Sequence, residues 1–211
     1  GEDRETTIID GDSSGSVVTF NGGENRDAFL KNFSIINGAG NSISEPEKSS
    51  FGGGIQCYHS SPTLENLLVY NNNAGNESEG GWGQGGGIAI QSGSPLINNC
   101  RIYSNSTGAD GGGIYANGSP IELNNSTITN NSADGAGGGL YVTATQGASV
   151  LNSVISNNQT FTEGGGIDCD ASTMSILKSE ISGNVGGGNG GGGGIFACCG
   201  SNLTMDRVTV S

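Results

Sequence analysis

A run of glycines followed by an aliphatic residue recurs six times along the chain. It begins at Gly52-Gly53-Gly54-Ile55 and returns with runs ending in Ile88, Ile114, Leu140, Ile167 and Ile195. The steps between these aliphatic residues are 33, 26, 26, 27 and 28 residues, so one unit is repeated with length variation inside it. A chain with that period is constrained to stack its units, because a unit of this size cannot bury its apolar side alone.

Aligning the units separates their fixed parts from their variable parts. Nine residues after the anchor stands Leu64, Ile97, Leu123 or Ile176, and fourteen after it Val69, Ile102, Ile128 or Ile181. An asparagine falls between them at Asn66, Asn99 and Asn125, and a second follows seventeen after the anchor at Asn72, Asn105, Asn131 and Asn184. The unit starting at Leu140 is one residue longer and supplies Val150, Asn152, Ile155 and Asn158. The length variation is concentrated in the segments 37–51, 73–84, 106–110, 132–136, 159–163 and 185–191, read as loops. Apolar residues alternate over short stretches such as Ile114-Tyr115-Ala116, which is strand periodicity, and Asn, Ser and Gly punctuate them as turns require. Three short strands per unit, with an asparagine at the corner between the second and third, describe a rung of an all-β, right-handed parallel β-helix. About seven such rungs would rise roughly 34 Å at the spacing of paired strands. Asn32, Asn66, Asn99, Asn125 and Asn152 are expected to stack as a ladder of side-chain amides, interrupted where Lys178 and Arg207 take the equivalent place.

Three stretches resemble the right-handed parallel β-helix repeat proteins, the superfamily that includes pectate lyases and polygalacturonases. They are Thr7-Ile8-Ile9-Asp10-Gly11, the segment FLKNFSIINGAG from Phe29 to Gly40, and GGGIAIQSGSPLINNCRIYSNS from Gly85 to Ser106. The resemblance is to secreted bacterial members and spans nearly the whole chain. It implies one elongated domain over residues 1–211 and an extracellular or cell-surface location. It implies no particular reaction, because members share the coil and differ in their chemistry. Both ends of the coil are expected to be open, which makes the chain a fragment or an assembly unit.

Composition fits a narrow coil. Of 211 residues 41 are glycine, and aromatic residues make up only 6%. A net charge of −13, with only seven Lys and Arg, excludes nucleic acid and anionic membrane surfaces as partners, and no apolar run is long enough for membrane insertion.

Five cysteines cannot all pair with one another. Cys57, Cys100 and Cys169 occupy positions filled elsewhere by small core residues, while Cys169 and the Cys198-Cys199 pair fall on neighbouring rungs, where a disulfide from Cys169 to Cys198 is an option. The spacing matches no zinc pattern and the single histidine, His59, falls in a turn, so no metal is assigned. Calcium on the loop carboxylates Asp110, Asp134 and Glu163 is the only cofactor considered, without a matching repeat.

The outward positions of the first strand are where polysaccharide-cleaving relatives place their acids. They carry Tyr115, Tyr141, Asp168 and Phe196, with Asp170 two residues beyond Asp168. Asp168 and Asp170 form the best carboxylate pair for acid–base chemistry, and Tyr115, Tyr141, Phe196 and the lone Trp82 offer stacking surfaces for a sugar. The competing reading makes them ordinary solvated strand residues. Arg101, Lys178 and Arg207 lie on or near the third strand, away from this face, and the Asp-Asp, Gly-His-Gly and Arg-x-Lys segments of polygalacturonases do not occur. The outward rank Gln56, Ala89, Tyr115, Tyr141, Asp168 is too mixed for ice binding. The favoured function is therefore a non-catalytic structural or adhesive surface β-helix that contacts carbohydrate, cell-surface components or further copies of itself in filaments, with loops 73–84 and 185–191 as the contact surface. The alternative is a polysaccharide lyase or glycoside hydrolase.

Overall fold

The computed structural model describes residues 1–43, 49–75, 82–187 and 191–211. Among these there is no helix. The strands stack into parallel sheets along a right-handed coil. The first sheet joins Val18–Phe20, Ile55–Tyr58, Ile88–Gln91, Ile114–Asn117, Leu140–Thr143, Ile167–Asp170 and Ile195–Cys198. The second runs from Phe29–Lys31 to Asn202–Asp206, and the third from Ile8–Asp10 to Thr209–Val210. Five turns add a fourth, two-residue strand: Asn73–Ala74, Ser106–Thr107, Ser132–Ala133, Gln159–Thr160 and Val185–Gly186. Segments read as loops from their variable length thus begin with a strand, too short for any periodicity to mark it.

In-register pairing explains why the apolar offsets are fixed. Ile55, Ile88, Ile114, Leu140 and Ile167 lie one above the other, as do Leu64, Ile97, Leu123, Val150 and Ile176, and Val69, Ile102, Ile128, Ile155 and Ile181; all are fully buried. Full burial of each such side chain contributes about 1.5–3 kcal/mol, enough for a narrow core of small aliphatic residues to hold the coil. Cys57, Cys100 and Cys169 are buried within it.

Corners impose the remaining pattern, and a regular turn bends at four of them through a residue in the left-handed region. In the turn starting at Gly111 these are Gly111 (φ 72°), Gly118 (φ 58°), Asn125 (φ 49°) and Asn130 (φ 55°). Asparagine tolerates this region better than other residues bearing a Cβ. Lys178 (φ 48°) and Arg207 (φ 53°) adopt it at the corner elsewhere held by Asn66, Asn99, Asn125 and Asn152.

The expected amide ladder forms along that corner. Asn66 Nδ2 donates to Asn32 Oδ1 (2.7 Å), Asn99 Nδ2 to Asn66 Oδ1 (3.2 Å) and Asn152 Nδ2 to Asn125 Oδ1 (3.5 Å). One link departs from expectation: Asn125 Nδ2 donates to Oδ1 of Asn98 (3.0 Å), the strand residue just before Asn99, rather than to Asn99.

A second ladder is buried. Asn72, Asn105, Asn131 and Asn158 each donate from Nδ2 to the Oδ1 of the asparagine one turn on, ending at Asn184, over 3.0 Å in every step. The same oxygens accept the backbone N–H groups of the preceding asparagines, and the second Nδ2 hydrogens reach backbone carbonyls such as Ile102 O, 3.0 Å from Asn131. This ladder also accounts for the third glycine of each run. A Cβ on Gly113 would stand 3.1 Å from Asn131 Nδ2 and 2.6 Å from Gly139 O. Glycine run and second asparagine, far apart in sequence, are one packing solution.

Outside the coil, Ser49–Phe51 pairs antiparallel with Asn41–Ile43 and parallel with Trp82–Gln84. This small sheet sets Phe51 against the first sheet.

Candidate functional site

The outer face of the first sheet is partly covered around Tyr115 and Asp168. Phe51 packs on Tyr115 with ring centroids 6.3 Å apart, Tyr115 stacks on Tyr141 at 5.7 Å and 15°, and Ala89 lies beneath them. Tyr115 retains 5% exposure and Asp168 only 3%. The reading of Tyr115 and Asp168 as ordinary solvated positions is therefore corrected, while Tyr141, Asp170 and Phe196 stay partly exposed. The preceding glycine turns fold against Tyr115 and Asp168: a Cβ on Gly164 would meet Asp168 Cβ at 2.7 Å.

The fold brings Tyr115, Tyr141, Asp168 and Asp170 together and sets Phe196 in register beside Asp168. Trp82 stays apart, 61% exposed on the small outer sheet. Asp168 and Asp170 project from the same side of one strand, because side chains two residues apart share a face. Their environments diverge. Burial, then the charges of Asp170, Glu163 and Asp110, push Asp168 up to about 7, and its Oδ1 is buried without a hydrogen-bond partner. Asp170 is held below the usual carboxylate range by hydrogen bonds, led by the Cys199 thiol and joined by Cys198, Thr143 and Tyr141. Tyr141 Oη donates to Asp170 Oδ2 (3.4 Å), Thr143 Oγ1 to the same oxygen (3.3 Å) and Cys198 Sγ to Oδ1 (3.4 Å). Asp110 is raised by burial, although its Oδ1 accepts the Ala136 N–H at 2.8 Å.

Among the described residues no cation balances this patch. The ion pairs found there are Arg4–Glu5, Arg26–Glu122 and Arg207–Asp206, all elsewhere. Asp110, Asp134 and Glu163 do not gather into a group able to hold calcium.

The disulfide considered as an option between Cys169 and Cys198 is not formed, and all five cysteines are free. Cys169 pairs with Ala197 and faces the core, whereas Cys198 pairs with Asp170 and lies on the outer side, so strand alternation separates the two sulfurs. Cys198 instead meets Cys199, their sulfurs 2.9 Å apart. Together with Asp170 they form a cluster whose ligand atoms all lie within 4.8 Å of one another. Sequence spacing gave no sign of it, because Asp170 and Cys198 are 28 residues apart and meet only through register.

Coil, ladders and parallel register define a right-handed parallel β-helix. The family model described as right handed beta helix region matches residues 53–211, and the chain belongs to that family. No curated protein and no solved structure matches it.

Proposed function

We propose that this chain is a non-catalytic β-helix of an extracellular surface, structural or adhesive in role, that contacts carbohydrate or cell-surface components through the flank where its loops leave the coil. The observation that carries this reading is the closure around the acid on the face where β-helix enzymes work: Asp168 is 3% exposed, beside Tyr141 and against the Gly164 turn, with only acidic side chains acting on it. A polysaccharide chain needs an open cleft there, and a lyase needs a cation beside its base. Large apolar side chains stand out instead on the loop flank, with Trp82 at 61%, Phe161 at 73% and Val185 at 59% exposure. Residues 76–81 and 188–190 of the two proposed contact loops lie outside the described residues.

End-to-end association belongs to the same reading. Met205 and Val210 are exposed although they pair in register with buried Ile176 and Ile181, and a second copy is one occupant of that edge while a further stretch of the same coil is another. Sedimentation of the chain across a concentration series separates the two.

A glycosidase reading draws support from the divergent Asp168 and Asp170, a raised acid beside a lowered carboxylate. Turnover on a panel of acidic and neutral polysaccharides decides between the classes. Inactivity throughout, with retention on immobilised glycans that a Trp82→Ala, Phe161→Ala double variant weakens, is the expected result. Turnover abolished by Asp168→Asn would overturn the non-catalytic reading.

A further inference from the structure

We propose that Cys198, Cys199 and Asp170 form a binding site for a borderline-soft divalent cation of the Zn²⁺ type, with a fourth coordination position open to water. The argument begins with the backbone. Consecutive strand residues point to opposite faces, so adjacent cysteines in a strand would be held apart. Here the strand ends at Cys198, and Cys199 takes the left-handed corner (φ 59°) filled in earlier turns by His59, Ser92, Gly118, Ala144 and Ala171. That bend swings its thiol back to Cys198, and parallel register delivers the Asp170 carboxylate from the turn before.

Two sulfurs and one oxygen are the donor set that zinc prefers over calcium or magnesium. The spacing suits it as well. With bonds of about 2.3 Å to sulfur and about 2.0–2.2 Å to oxygen, three donors mutually within 4.8 Å can share one ion, the thiols spreading by under about 1 Å from their 2.9 Å contact. A disulfide between neighbours fits less well, because residues joined by a trans peptide have Cα atoms about 3.8 Å apart, below the usual disulfide range.

Charge points the same way. The carboxylates Asp110, Glu163, Asp168 and Asp170 set up an acidic field with no basic partner among the described residues, and Asp168, the next outward residue on the same strand, keeps a buried oxygen with no partner. A bound dication would compensate that field. Tyr141 and Thr143, which donate to Asp170 Oδ2, would orient the carboxylate ligand.

The test titrates the full chain, reduced with a phosphine and stripped by chelator, with Zn²⁺ alone in a calorimeter, followed by elemental analysis and by the absorption spectrum of the Co²⁺ form. Expected are a single zinc per chain, a thiolate-to-cobalt charge-transfer band, loss of binding in Cys198→Ser and Cys199→Ser, weakened binding in Asp170→Asn, and affinity lowered roughly 10- to 100-fold in Thr143→Val, which removes a hydrogen bond that orients the carboxylate. Zinc binding unchanged in the double serine variant would overturn the site, as would a reduced wild-type chain that retains no zinc while both outer thiols react with a thiol reagent. If a serine variant fails to fold by circular dichroism, the wild-type Co²⁺ spectrum still decides, since a spectrum without sulfur charge transfer refutes thiolate ligation.

Discussion

Replacing Asn131 with leucine isolates the energetic role of the buried ladder. The side chain of Asn131 is 1% exposed and uses its full hydrogen-bonding capacity: Oδ1 accepts the backbone N–H and the Nδ2 of Asn105, and Nδ2 donates to Ile102 O and Asn158 Oδ1, each at 3.0 Å. Leucine has a similar branched shape and leaves little room for a replacing water. Asn131→Leu therefore strands two donors, the Asn105 N–H and one Asn105 Nδ2 hydrogen, whose other hydrogen still reaches Val69 O. Asn158 Oδ1 keeps the backbone N–H of residue 131. At about 1–3 kcal/mol per buried unsatisfied group the loss is about 4 kcal/mol. The control is Asn125→Gly on the outer ladder, which keeps the left-handed corner and gives up two exposed bonds, one to Asn98 and one from Asn152, a change of about 1–2 kcal/mol. Urea unfolding followed by far-ultraviolet circular dichroism, with midpoints compared at a common slope, measures both. Equal midpoints for the two variants would refute the claim that the inner amides, rather than the outer ones, hold the turns in register.

Lys178→Asn relieves a left-handed lysine and restores an amide above Asn152, so stability rises by about 1 kcal/mol and the melting temperature by about 2–4 °C in a thermal scan. Asp168 has its folded pKa raised to about 7 from 3.8, so its stabilising contribution is full below about pH 4 and is lost as pH rises toward 7. Asp168→Asn removes that loss, and urea midpoints at pH 5 and pH 8 should lie closer together than in the wild type; an unchanged gap would mean that Asp168 is not the titrating group. Asp110, also raised, leaves a residual slope of the same sign, whereas Asp170, held low, acts below pH 4.

The coil was legible because each of its constraints repeats. Fixed apolar offsets mark the inward columns, and the corner asparagines mark left-handed bends that few other residues adopt cheaply. The second asparagine was visible at its fixed offset, but its role was not, since its partners are the next asparagine 26 to 33 residues away and a glycine whose missing side chain leaves it room. The candidate site was partly legible. Alternation correctly put Asp168, Asp170, Tyr115 and Tyr141 on one face, but exposure there depends on Phe51, which arrives on a strand of the small outer sheet. The cysteine cluster was hidden for another reason: its geometry follows from Cys199 leaving the strand at a corner, one residue from where alternation ceases to apply.

Strands that lie across the axis of a coil direct their ladder bonds along it. A pull along that axis therefore opens the bonds of one turn before it loads the next, and the chain should yield by peeling, not by a single rupture. Each regular turn that peels frees 26 to 28 residues, a contour of roughly 90 Å. A module built this way lengthens in discrete steps, one turn at a time.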